Sequence, residues 1–256
     1  MQVLVTRPAR EAQRWVQELR LRGHAAVALP LIAIDPAPDE ATVRRAWEAL
    51  PSYSAVMFVS GNAVERFFLL KPAGIAFGGA RPRAWAPGPG TSDALLRAGV
   101  PQSLIHTPAS TAPQFDSQSL WQEVGEQVPA GGRVLVVRGG DTSGQGAGRD
   151  WLAGQLAQRG VAVDMVVAYC RRPPVWSPLQ RSLALQAAHD GSLWLFSSSE
   201  AIAHLRTLAP DQSWQDAHAL VTHPRIATAA RDAGFGVVCL SRPILSDVMA
   251  SIESIR

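Results

Sequence analysis

Lysine is almost missing from this chain of 256 residues: Lys71 is the only one, and arginine supplies every other basic residue. The formal net charge is only +3, and no basic tract is interleaved with aromatics. No nucleic-acid signature is present, and no nucleic-acid partner is expected. An arginine-only set of cations suits an anionic small molecule better, because guanidinium offers carboxylates and phosphates a planar fork of donors. No apolar run approaches the roughly 18 residues that a membrane span requires, so no membrane association is expected. The chain enters Gln2-Val3-Leu4-Val5 directly, with no basic n-region or small-residue cleavage site, and a cytoplasmic location is the expectation. Cys170 and Cys239 are the only cysteines, and they form no CxxC or other ligand spacing. Six histidines are scattered with no metal spacing between them, so no metal is expected.

The usual catalytic fingerprints are missing too. The turn after the first apolar run is Thr6-Arg7-Pro8-Ala9-Arg10, with no GxGxxG for a dinucleotide. The glycine-rich stretch from Gly139 to Gly148 lacks Gly-Lys-Ser/Thr, which excludes a P-loop. Ser198 lies in no GxSxG elbow, so a hydrolase triad has no support. The expectation is a protein that works without cofactor, metal or nucleophile.

What is present is an alternation of strands and helices. Short runs rich in Val, Leu, Ile and Phe mark strands at 2–6, 25–30, 55–59, 83–86, 103–106, 133–137, 161–165, 193–196, 218–222 and 236–240. Between them lie amphipathic stretches such as 9–22, where Ala12, Trp15, Val16 and Leu19 form an apolar stripe before Gly23 stops the helix. All-apolar strands alternating with helices predict an α/β fold with parallel sheets covered on both faces.

The chain also nearly repeats itself, with the copies interleaved. Phe58-Val59-Ser60-Gly61-Asn62-Ala63-Val64 aligns on Phe196-Ser197-Ser198-Ser199-Glu200-Ala201-Ile202. The stretch from Pro89 to Gly99 aligns on that from Pro224 to Gly234, and Val134 to Arg138 echoes Val3 to Arg7. That order predicts two similar doubly wound, flavodoxin-like lobes, one inserted in the other. The expected lobes are 1–35 with 171–256, and 36–170. Two proline-bearing linker strands, near 31–38 and 166–175, would join them across a cleft.

Ligands of open α/β sheets bind beyond the carboxyl ends of the strands, so the turns there hold the candidates. They are rich in Ser, Thr, Gly, Pro and Arg, which cap helices or attract anions. Tyr169, one of only two tyrosines, lies on a linker strand at the base of the expected cleft. A phenol, with a reference pKa of about 10, is protonated at neutral pH and can donate a hydrogen bond or a proton.

Together these features resemble the uroporphyrinogen-III synthase family over nearly the whole chain. The likeness runs through Val3-Leu4-Val5-Thr6-Arg7-Pro8, Leu29-Pro30-Leu31-Ile32, the segment from Phe58 to Val64, and Gly88-Pro89-Gly90-Thr91. It continues through Val136-Val137-Arg138-Gly139 with a delayed Gly148-Arg149, through Val167 to Tyr169, and through Phe196 to Ile202. The resemblance implies a cofactor-free lyase that expels the hydroxyl of hydroxymethylbilane, a linear tetrapyrrole with eight carboxylates, and closes the ring with inversion of the last pyrrole. Catalysis would rest on positioning, which is worth roughly 7–11 kcal/mol at best. Tyr169 matches the family tyrosine suggested to assist hydroxyl departure. Thr91 and the turn of Ser197, Ser198 and Ser199 match substrate-facing positions. Arg7, Ser60, Asn62, Ser92, Arg138, Arg149, Pro224 and Arg225 complete the expected substrate contacts. At Arg225-Ile226 many relatives carry hydroxyl residues, so an arginine or backbone contact must replace them here. A monomer is expected, as is a transient handover from hydroxymethylbilane synthase. The rival readings are a non-catalytic bilobed binding protein for an anionic small molecule, a nucleotide-sugar glycosyltransferase and a receiver-type domain. The first is the alternative carried forward; the other two lack a nucleotide site and an acidic pocket with a nearby lysine.

Overall fold

The computed structural model describes residues 1–78, 82–141 and 151–255. Its strands are β1 (Val3–Val5), β2 (Ala26–Ala28), β3 (Ala33–Pro36), β4 (Ala55–Phe58), β5 (Arg83–Trp85), β6 (Ile105–His106), β7 (Arg133–Gly140), β8 (Ala162–Arg172), β9 (Leu193–Phe196), β10 (His218–Val221) and β11 (Val237–Leu240). Its helices are α1 (Ala9–Leu21), α2 (Glu40–Glu48), α3 (Gly61–Leu69), α4 (Pro89–Arg97), α5 (Ser117–Val124), α6 (Trp151–Gln158), α7 (Pro178–Ala187), α8 (Ser199–Leu208), α9 (Pro224–Asp232) and α10 (Leu245–Ser254). Among the described residues, no helix is long and apolar enough to cross a membrane.

The chain divides into two compact units, Met1–Ala33 with Arg172–Arg256, and Ile34–Arg171. The first unit holds a parallel sheet in the order β11-β10-β9-β1-β2. Numbered along the chain within that unit, this is the flavodoxin order. The second unit holds β3-β8-β7-β4-β5-β6, with β4 to β8 parallel wherever they pair. Without the edge strand β3, its order along the chain is 3-2-1-4-5, the other doubly wound arrangement. Both sheets are doubly wound and parallel, as the sequence predicts, and they differ only in strand order along the chain.

The two orders are one arrangement, circularly permuted. Counting the first unit from β9 through β11 and then β1 and β2 gives 3-2-1-4-5 as well. The sequence repeat follows the same mapping: β4 corresponds to β9, α4 to α9, and β7 to β1.

Each strand sends alternate side chains to opposite faces, as a doubly covered sheet requires. In the second unit Val56, Phe58, Leu135 and Val137 pack against α2, α3 and α4 through Val43, Val64 and Ala94. Ala55, Met57, Val134 and Val136 pack the other way, against Leu120, Val124, Leu152 and Leu156 of α5 and α6. In the first unit Val3, Val5, Leu193 and Leu195 meet Ala12, Val16 and Leu19 of α1 and Val248 and Ile252 of α10. Trp194 and Phe196 lie in a ring cluster with Trp214 and Phe235.

A polar chain ties α5 and the segment after it to the sheet edge. Trp85 Nε1 donates to Gln127 Oε1 at 3.0 Å, and Gln127 Nε2 lies 3.0 Å from His106 Nδ1. Nδ1 accepts that bond only while the imidazole is neutral. Burial and then the Arg83 charge hold the His106 pKa below its ordinary value, with Glu123 opposing. The unfolded histidine therefore binds a proton where the folded one does not. Its contribution to stability is full above the ordinary value of about 6.5 and is lost as pH falls through the lower folded value. His106→Asn should flatten the fall in denaturation midpoint below about pH 6.5. A profile as steep as that of the parent would contradict this role.

Candidate active site

The carboxyl ends of β4, β7 and β8 bring three residues together. Ser60, in extended conformation, is the N-cap of α3, and its Oγ accepts the Ala63 N–H at 3.2 Å. The β7–β8 ladder runs to Arg138 opposite Val167, and a bulge then places Gly139 opposite Tyr169, leaving Ala168 as the extra residue. β4 and β8 flank β7 on its two sides, and so lie about 10 Å apart at ordinary strand spacing. The Tyr169 ring lies across β7 at Gly139 and brings its hydroxyl to 3.0 Å from Ser60 Oγ. Only glycine leaves this path open: a Cβ at 139 would sit 2.5 Å from Tyr169 Cζ and 2.8 Å from Cε2 and Oη. Tyr169 is 2% exposed, whereas Ser60 is half-buried at the carboxyl end of β4.

The other expected residues of this unit are placed differently. Thr91 and Ser92 are buried in the first turn of α4, whose N-cap is Gly88 with no side-chain cap. Asn62 lies in the first turn of α3. Arg138 is 5% exposed, with Nη1 3.2 Å from Met165 Sδ of β8. Arg149 lies outside the described residues, as does most of the glycine-rich stretch. Burial raises the Cys170 pKa, and Asp141 and Asp35 push the same way, so this thiol is not activated.

In the first unit Arg7 follows β1. Its guanidinium lies over Trp15, 4.5 Å from the ring centroid, and Nη1 pairs with Glu11 at 3.2 Å. Burial lowers its pKa, with Glu11 opposing, and its buried Nε has no hydrogen-bond partner among the described residues. Ser197 follows β9; Ser198 caps α8 by accepting the Glu200 N–H at 3.2 Å, and Ser199 opens the helix. Pro224 and Arg225 are exposed in the first turn of α9. That helix is capped by His223, whose Nδ1 accepts the Arg225 N–H at 3.1 Å. Thr6 caps nothing; its hydroxyl donates to the Leu195 carbonyl at 2.8 Å. Of the expected hydroxyl caps in these turns, Ser60 and Ser198 serve, and Thr6 and Thr91 do not.

Two residues escape a reading by turn chemistry alone: Gly139 as the floor under Tyr169, and His223 as a cap. A glycine pair ending an apolar strand is the signal that a backbone or ring approaches closely there. Among the described residues, no group of three His, Cys, Asp or Glu is placed to hold a metal ion.

Residues 13–247 match the family described as Uroporphyrinogen-III synthase HemD. The chain belongs to the uroporphyrinogen-III synthase family. Membership puts it among the lyases of tetrapyrrole biosynthesis. A uroporphyrinogen-III synthase from Synechococcus elongatus is 26% identical over 232 residues, which cover 88% of this chain and 81% of that protein. Two solved uroporphyrinogen III synthases share the fold. A mutant from Thermus thermophilus is 18% identical, with a TM-score of 0.57 over 100% of this chain and 98% of that one. The Helicobacter pylori protein is 15% identical, with a TM-score of 0.56 over the full length of both chains.

Proposed function

We propose that this chain cyclises hydroxymethylbilane to uroporphyrinogen III, with loss of water and inversion of the terminal pyrrole ring. The match of residues 13–247 to the synthase family carries this reading. The chemistry of the strand-end turns agrees with it. The substrate's carboxylates suit the guanidinium of Arg7, the exposed Arg225, and the helix-opening turns at Ser60, Ser198 and Pro224. Tyr169 lies near the leaving hydroxyl in this reading. Arg138 and Arg149 complete the proposed contacts, Arg149 lying outside the described residues. The proposal extends to a monomer in the cytoplasm that receives its substrate from hydroxymethylbilane synthase.

The rate at which hydroxymethylbilane disappears separates this reading from a non-catalytic binder. A synthase speeds disappearance above the spontaneous rate in proportion to its concentration; a binding protein slows it. Arg7→Ala should raise KM a little over tenfold with kcat nearly unchanged, since a charge-assisted hydrogen bond is worth about 1.5 kcal/mol or more. A variant whose kcat collapsed while KM held would assign Arg7 to the chemical step instead.

A further inference from the structure

The hydrogen-bond inventory around Ser60 decides which hydroxyl meets the substrate. Tyr169 has one hydrogen bond among the described residues, to Ser60 Oγ at 3.0 Å, and its ring is packed among Phe58, Val137 and other buried apolar side chains. A buried phenol O–H needs an acceptor, and among the described residues Ser60 Oγ is the acceptor within reach. A serine hydroxyl has one O–H and two acceptor positions. The Ala63 N–H occupies one of these, and with Tyr169 as the donor of a pair in which either hydroxyl can donate, the phenol O–H occupies the other. What remains is the Ser60 O–H, on a residue that is half-buried where Tyr169 is only 2% exposed.

We infer that Ser60 is the catalytic donor to the leaving hydroxyl, and that Tyr169 acts behind it as the reserve of the proton. The inference rests on the synthase reading and names the donor within it. As the substrate C–O bond breaks, the pyrrole nitrogen's electron pair fills the vacated position and the departing oxygen takes the Ser60 proton. Ser60 takes the Tyr169 proton in the same event, so the acid drawn on is a phenol rather than an alkyl hydroxyl. The phenolate regains its proton, through Ser60, from the one released when the attacked pyrrole recovers its aromaticity. One water leaves, and the protein ends as it began.

Ser60→Gly tests this while keeping an accepted N-cap residue on α3. Its kcat should fall on the order of 10²-fold, within the range of general acid catalysis, with KM little changed. Tyr169→Phe should lose a similar amount, Ser60→Thr should restore turnover, and Ser60→Gly/Tyr169→Phe should be no slower than the slower single variant. A double variant that lost the product of the two single effects would make the residues independent and overturn the relay. So would parental kcat in Ser60→Gly. A second readout needs no activity. The chain has only two tyrosines, so a tyrosine-labelled NMR spectrum holds two ring signals, and Tyr169→Phe assigns them. The Tyr169 signal should shift in Ser60→Gly; an unmoved signal would overturn the pair. This arm decides the pairing even for a parent that proves inactive as a synthase.

Discussion

Gly139→Ala should cost the protein both stability and turnover. The added methyl would lie 2.5 Å from Tyr169 Cζ, and neither party yields cheaply. The ring is held in a buried cluster, and the backbone of β7 is paired with β8 at Gly139 and with β4 up to Val137. Overpacking of this kind costs about 1–3 kcal/mol. The ring is the more movable partner, and its displacement takes the phenol away from Ser60. Turnover should then fall on the order of 10²-fold, as it does when the acid itself is removed. Denaturant unfolding and steady-state kinetics on one preparation check both halves. A variant with parental kcat and an unmoved Tyr169 NMR signal would show that the floor under the ring is not required.

The largest stability loss is expected from Trp47→Ala. Trp47 on α2 is fully buried, and its Nε1 donates to the Phe67 carbonyl at 2.8 Å. Its indole stacks on the Phe67 ring at 4.5 Å and meets Phe68 and Phe77 edge-on. Truncation to alanine leaves a cavity that rigid neighbours cannot fill, at a cost of about 3–5 kcal/mol. Phe67 and Phe68 belong to α3, the helix that Ser60 caps, so the loss reaches the site through that helix. Trp47→Phe should cost less: it refills most of the cavity, and the Phe67 carbonyl keeps the Leu70 N–H. Chemical denaturation of the second unit reads the difference. A loss under about 1 kcal/mol for Trp47→Ala would mean that the ring cluster repacks freely.

The fold was legible where physics acts locally. Parallel strands buried on both faces read as short all-apolar runs, and each strand expected from such a run is present. The interleaved repeat carried the relation between the sheets, because a circular permutation preserves segment likeness while changing order along the chain. The strand order within each unit was not legible, since both doubly wound orders use the same segments. Nor was β8 as one strand of 11 residues: its apolar start and polar end read as a strand followed by a linker. The helix α7 carried an unused signal, a capping box in which Ser177 and Gln180 bond reciprocally across Ser177-Pro178-Leu179-Gln180. The candidate site was legible only as a set of turns. The approach of Tyr169 to Ser60 joins residues 109 apart in sequence through a bulge and a glycine that no turn rule places.

Product isomer analysis separates a synthase from a binder in one chromatogram. Hydroxymethylbilane generated in place from porphobilinogen is incubated with the folded protein, oxidised, and resolved by chromatography into type I and type III uroporphyrin. Type III product should stand well above the no-protein control and rise with protein concentration. Type I alone, from folded protein, would contradict it and leave a bilobed binder that keeps the fold without the chemistry.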